Sequence, residues 1–150
     1  MAPEDDASKP ILIAYDGSEH AKAAIEQAGR QLPGGRRATV LSVWQPVDSM
    51  PFTQLVVVPQ EFVDSMMEGA RETAAEGATL AREAGFDAAP LAESANSAWE
   101  GIVKAAEELD AALIVMGSHG RSGLSYATLG SVATAVAHHT ERPVMIFPMR

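Results

Sequence analysis

The residues best suited to chemistry fall in one stretch of the chain. Gly117, Gly120 and Gly130, with Ser131 directly after the last, span a polar glycine-rich segment over residues 117–128 and the start of a helical pattern at residue 129. A strand-to-helix turn of this kind points backbone N–H groups and the positive end of a helix dipole at whatever occupies it, and glycine lets ligand oxygens come close to the main chain. Phosphate is the natural candidate, with the Ser131 hydroxyl as a further donor and Arg121 as a nearby cation. Turn geometry alone also employs glycines here, so their spacing leaves both readings open. A second candidate is Asp16, in Asp16-Gly17-Ser18 after an apolar run. An aspartate at a strand end serves either as a turn or cap residue or as a ligand. His119 reads as an exposed loop side chain. His138 and His139 fall near a helix C-terminus, where a cation suits the dipole, and as neighbours on a helix they point apart, which argues against a metal pair. No Gly-Lys-Ser/Thr ends a Walker loop, and no Gly-x-Gly-x-x-Gly occurs.

The elements that must position these residues follow from the hydropathy pattern. Residues 11–15 form an apolar, branched run without polar alternation, the mark of a strand buried on both faces. Ala21, Ala24, Ile25, Ala28 and Leu32 fall at helical spacing from Ser18 onward, and Pro33-Gly34-Gly35 stops that helix. Residues 38–44 read as a second strand and residues 45–59, with three prolines, as a long loop whose Phe52, Leu55 and Val56–Val58 act either as a packed cover or as a lid. Residues 60–84 read as the longest helix, with Phe62, Met66, Ala70, Ala74, Ala78 and Ala81 on one stripe; Gly69 and Gly77 weaken it slightly. Met66 and Met67 read as core filling. Residues 86–92 form an edge-like strand interrupted by Asp87 and Pro90. Ser97 and Glu100 make a capping box that opens a helix to Ala106. Strands at 113–116 and 144–147 flank a helix at 129–139.

Five strands alternating with helices demand right-handed crossovers, hence an α/β fold with a doubly wound, five-stranded parallel sheet and helices on both faces. A strand order 3-2-1-4-5 puts the topological switch between the first and fourth strands, so that the turns after Asp16 and Gly117 face each other where ligands bind in such sheets.

Composition narrows the classes. The chain has 150 residues, 47% of them apolar, which suits one domain with a real core. Residues 10–150 read as that domain and residues 1–9 as a disordered tail. Without cysteine, thiolate metal sites and cysteine nucleophiles are excluded, in keeping with a cytoplasmic protein. A net charge of −9 repels a phosphate backbone, so no nucleic-acid partner is expected. No basic-then-apolar leader and no apolar run of spanning length is present, so no membrane is expected either. A response-regulator receiver would want an acidic cluster after the first strand and a lysine near the last, and no lysine follows Lys104; a flavin site would want more than eight aromatics.

The spacing Gly117-x2-Gly120-x9-Gly130-Ser131 resembles the nucleotide-binding signature of the universal stress protein family, and Asp16-Gly17-Ser18 is similar to its aspartate motif. The segment 110–125, Leu129-Gly130-Ser131-Val132 and the closing Arg142 to Pro148 agree, so that the likeness covers residues 10–148. It implies ATP, with Mg²⁺, as the bound nucleotide. It implies that Asp16 meets the adenosine side, through ribose or a divalent ion, that Val43 offers its backbone to adenine, and that Ala14 and Met116 form apolar walls. Gly117, Gly120, Gly130, Ser131 and Val132 would line the phosphates, with His119 and Arg121 counted beside them. Tyr126, where relatives often carry a basic residue, and residues 93–96 depart from the pattern. The resemblance further implies a homodimer through the last strand, residues 143–148. The leading functional reading is a stress-response regulator that binds ATP and acts through protein partners. A slow adenine-nucleotide hydrolase using His119, Arg121 or Asp16, and a dimeric protein that prefers another nucleotide such as cyclic AMP, are the alternatives.

Overall fold

The computed structural model describes residues 7–46, 57–120 and 129–148. In chain order the described elements are β1 (Ile11–Ala14), α1 (Glu19–Gln31), β2 (Arg37–Trp44), α2 (Gln60–Glu83), β3 (Asp87–Ser94), α3 (Ala98–Glu108), β4 (Leu113–Gly117), α4 (Ser131–His139) and β5 (Val144–Phe147). The strands form one all-parallel sheet in the order β3-β2-β1-β4-β5, as the alternation of elements predicts. Arg121, Tyr126, Phe52, Leu55 and Val56 lie outside the described residues.

The unbroken apolar character of β1 has a simple cause. Ile11 and Ile13 enter the layer under α1 and α2 with Val40 and Val115, whereas Leu12 enters the layer under α3 and α4 with Leu41 and Ile114. All of these are fully buried, so no position could be polar. Two helices start on serine caps: Ser18 Oγ accepts from Ala21 N–H at 3.2 Å and Ser97 Oγ from Glu100 N–H at 3.4 Å.

β3 is an edge strand, and Pro90 occupies it without loss. Asp87 N–H donates to Arg36 C=O and Ala95 N–H to Trp44 C=O, so the odd residues of β3 face β2. Pro90 is even; its missing N–H is on the open side, where no ladder bond is given up.

The long helix departs from the stripe read in the sequence. Only Ala74, Gly77, Ala78 and Ala81 are buried, and Phe62 is 53% exposed. At 24 residues, α2 is about 36 Å long, while the 8 residues of β2 span only about 26 Å. Toward its start Met66 and Ala70 are only half-buried, because a pocket separates them from the end of β2 at Ser42, Val43 and Trp44.

At the opposite end of the sheet a charged clamp joins the segments that precede β1, β4 and β5. Arg142 donates to Asp110 Oδ1 at 2.6 Å, Glu107 Oε2 at 3.0 Å and Ala111 C=O at 3.0 Å, and Lys9 approaches Asp110 at 3.0 Å. The guanidinium holds both carboxyl groups below their usual range, and they in turn keep it protonated. The clamp ties together the amino ends of three neighbouring strands.

Gly77 is a contact residue rather than a weakness in α2. A Cβ there would sit 2.6 Å from the Tyr15 ring and 2.7 Å from a Val40 methyl, both in the core. The same ring is held at its far end by a hydrogen bond from the phenol to Glu76. Gly77→Ala should therefore destabilise the fold by about 1–2 kcal/mol, because overpacking outweighs the helix-propensity gain of up to about 1 kcal/mol. Urea unfolding checks the sign; a more stable variant would refute the packing argument.

Candidate functional site

β1 and β4 are paired, with Ile13 beside Val115, so the turns that follow them open side by side. Between these turns and the starts of α3 and α4 lies a cleft of about 730 Å³, within the range of small-molecule sites. Of the residues singled out in the sequence, Ala14, Asp16, Val43, Met116, Gly117, His119, Gly120, Gly130, Ser131 and Val132 all line it. They come from four separate parts of the chain and are gathered by the strand order.

None of the three loop glycines has a positive φ. Each lies close to a neighbour. A Cβ on Gly117 would lie 2.9 Å from His20 C=O at the start of α1, one on Gly120 would lie 2.7 Å from Asp16 Oδ2, and one on Gly130 would lie 2.6 Å from Ser118 C=O. Gly130 N–H donates to that same carbonyl at 2.8 Å, which bends the entering chain back on the end of β4. Gly130 is also the N-cap of α4 and supplies no side-chain cap, in contrast to Ser18 and Ser97. The first-turn amides of Ser131, Val132 and Ala133 therefore face the cleft with the positive end of the α4 dipole behind them, which is what an anionic oxygen needs.

Among the described residues lining the cleft, Asp16 carries the one formal charge, and it is negative. Its Oδ1 accepts from Ser18 N–H at 2.9 Å, fixing the carboxylate in an Asx turn with Oδ2 against Gly120. Gly17 makes the turn possible with φ of 82°. A carboxylate so close to an anion cradle suits a hydroxyl donor or a divalent cation that also touches the anion. Among the described residues no group of three His, Asp or Glu side chains is arranged to hold a metal by itself.

His119 differs from its reading as an exposed side chain. It is half-buried, Nδ1 is paired with Ser118 Oγ at 2.9 Å, Nε2 is buried without a hydrogen-bond partner among the described residues, and the ring lies 5.4 Å from that of His20. Short flanking glycines draw the loop down onto α1 and bury the ring with it. Tyr15, Ser118, Gln45, Ala98 and Ile102 also line the cleft and were missed in the sequence. Tyr15 had a signal, being an aromatic at the end of a buried run; the others enter only through tertiary placement. The remaining surface, over Leu41, Val43, Ile102 and Met116, is apolar, so that the cleft joins an anion-binding end to a hydrophobic slot.

Comparison with known proteins gives a consistent picture. The family model described as the universal stress protein family matches residues 7–148. A universal stress protein of Thermus aquaticus is 34% identical, covering 92% of this chain and 97% of its own. Universal stress protein YxiE of Bacillus subtilis is 31% identical, covering 91% and 96% respectively. Among solved structures, a universal stress protein from Archaeoglobus fulgidus in complex with dAMP superposes with a TM-score of 0.62 at 22% identity, covering 92% of this chain and 96% of its own. A universal stress protein in complex with cAMP gives 0.56 at 19% identity, covering 92% and 94%.

The glycines differ in what an added methyl would meet. At Gly130 the obstacle is backbone, so Gly130→Ala should cost about 1–3 kcal/mol by forcing the loop off α4. At Gly120 it is the tip of the Asp16 side chain, and Gly120→Ala should stay within about 0.5 kcal/mol of wild type. Paired thermal unfolding curves test this, and equal losses at both positions would contradict the geometry.

Proposed function

The chain belongs to the universal stress protein family, and on that premise we propose that it binds an adenine nucleotide, ATP with Mg²⁺, in the cleft between β1 and β4. The observation that carries this reading is the uncapped start of α4 beside an apolar slot: one end suits phosphate and the other a purine. The ligands of the relatives solved with dAMP and cAMP share an adenine base and a single phosphate, and support the same class of ligand.

The roles divide by chemistry. Gly117, Gly120, Gly130, Ser131 and Val132 receive the phosphates through backbone amides and the Ser131 hydroxyl, with Arg121 adding positive charge and His119 adjoining them. Ala14 and Met116 wall the nucleoside, Val43 presents its backbone to adenine, and Asp16 takes ribose hydroxyls or helps to hold Mg²⁺. One carboxylate is enough for that ion when phosphates and water complete its shell.

A regulator that works through cytoplasmic protein partners is favoured over an enzyme. Fast phosphoryl transfer needs an aligned nucleophile and cations fixed on the transferred group. The loop over residues 117–131 carries Arg121 as its one cation and no lysine. Slow hydrolysis is the second reading, and the enclosed His119 is the group that supports it. Purified protein should release adenine nucleotide on gentle denaturation, seen by mass spectrometry, and bind ATP by calorimetry. Single-turnover hydrolysis with Mg²⁺ should stay below roughly one per second. A faster rate, lost in His119→Ala or Asp16→Ala while ATP still binds, would favour the hydrolase.

The reading includes a two-fold homodimer through β5. All four of its residues are apolar and half-exposed. Ile114 N–H donates to Pro143 C=O and Ser118 N–H to Phe147 C=O, so the odd residues of the strand face β4 and the backbone groups of Val144 and Ile146 face outward. An apolar edge with free donors is a template for a second copy. Light scattering should give twice the 15.8 kDa chain mass. Ile146→Pro, which removes an outward donor and no bond to β4, should give the monomer; an unchanged dimer would exclude this edge as the interface.

A further inference from the structure

We propose that Gln45 reads the base and gives the cleft its preference for a 6-aminopurine, an inference that rests on the nucleotide reading above. Leu41, Val43 and Gln45 are alternate residues, so their side chains leave the strand direction of β2 on one face, the face covered by α3 and α4. All three line the cleft. β1 ends at Ala14, paired with Leu41, and the last main-chain bond between them is Tyr15 N–H to Leu41 C=O at 2.9 Å. The N–H and C=O of Val43 point the same way as those of Leu41, past the end of β1. Gln45 continues that line at the rim.

α3 closes the other side of the slot. A Cβ on Gly101 would lie 2.8 Å from both Val43 methyls, so the glycine brings the helix down onto β2, with Ala98 and Ile102 beside it. A flat ring is what such a slot admits.

The orientation of the Gln45 carboxamide is set by its partner. Its Nε2 donates to Asn96 C=O at 3.1 Å. A carbonyl oxygen only accepts, so nitrogen must face Asn96, and Oε1 is left as the acceptor of the group at the cleft rim. A 6-amino group has two N–H donors. One suits Val43 C=O and the other suits Gln45 Oε1, while the unprotonated N1 accepts from Val43 N–H. A 6-oxopurine reverses both features: its carbonyl faces Oε1 and its N1–H faces Val43 N–H. Discrimination of this kind comes from the like-with-like contacts it creates against the wrong base.

The test is calorimetric titration of the full chain with AMP and IMP, which differ at position 6 and in the proton on N1, and with N6,N6-dimethyl-AMP, which has no donor at that position. Wild type should prefer AMP to IMP by about tenfold or more. Gln45→Leu should weaken AMP about fivefold, the scale of one neutral hydrogen bond, and strengthen IMP by relieving the contact between two acceptors, so that the ratio narrows from both sides. Dimethylation should weaken binding to wild type and have a smaller effect on the Leu variant. AMP binding with an unchanged AMP-to-IMP ratio in Gln45→Leu would overturn the role of Gln45 while the nucleotide reading stands. Failure of wild type to bind AMP, IMP or ATP would overturn both.

Discussion

The cleft depends on one constraint, the hydrogen-bonded pairing of β1 with β4. Ile11, Leu12 and Ile13 lie beside Leu113, Ile114 and Val115, about a hundred residues away in sequence. That pairing makes the chain reverse its winding direction, because β2 and β3 extend the sheet to one side of β1 and β4 and β5 to the other. The turns after β1 and β4 consequently diverge, one toward α1 on one face and one toward α4 on the opposite face, and a gap is left above the strand ends. The three loop glycines act within this gap. Gly117 and Gly130 bring backbone against backbone, at His20 and Ser118, at distances that a side chain would prevent, and Gly120 lies against the tip of the Asp16 side chain. The fold makes the opening, and the absence of Cβ atoms sets how close its walls come.

The electrostatics of the gap run against the chain as a whole. A protein of net charge −9 repels anions at long range, but screening limits that field to about 8–10 Å at ordinary ionic strength. Inside the cleft the nearest partial charges are the amides of the first α4 turn. They are left available because Gly130 has no side chain with which to cap them. Asp16 is the local opponent, and its fixed position on Ser18 N–H keeps its negative charge at a defined place next to Gly120. A divalent ion shared between that carboxylate and a phosphate would turn the repulsion into a bridge.

Much of this was legible in the sequence because its causes are local or periodic. Uniform burial of β1 and β4 forces continuous apolar runs, serine caps announce α1 and α3, and strict alternation leaves few topologies to consider. The three glycines and Asp16 were legible as a pattern, although only the strand order places them on one cleft. What escaped depends on lengths and approaches that no local pattern records. Helical periodicity continues through Phe62 and Met66, but the sheet beneath α2 is shorter than the helix, so periodicity without a partner buries little. Gly77 resembles a helix breaker until the Tyr15 ring is seen against it. His119 looks exposed in a glycine-rich segment, yet the same glycines pull it against His20. Gln45 is an unremarked polar residue after a strand, and it acquires a direction only from the Asn96 carbonyl.

The two sheet edges are treated in opposite ways. β3 carries Pro90 with its missing donor outward and charged residues at Asp87 and Glu93, which deny an incoming strand both bonds and apolar contact. β5 has neither protection: four apolar residues, all half-exposed, with the backbone groups of Val144 and Ile146 directed away from β4. The two edges of the sheet therefore differ, one protected against an added strand and the other not. β5 also lies directly beside β4, whose last residue, Gly117, opens the loop of the cleft. Phe147 C=O accepts from Ser118 N–H at 3.0 Å, one residue before His119. The edge strand and the start of the cleft loop thus share a backbone bond that continues the ladder joining β5 to β4.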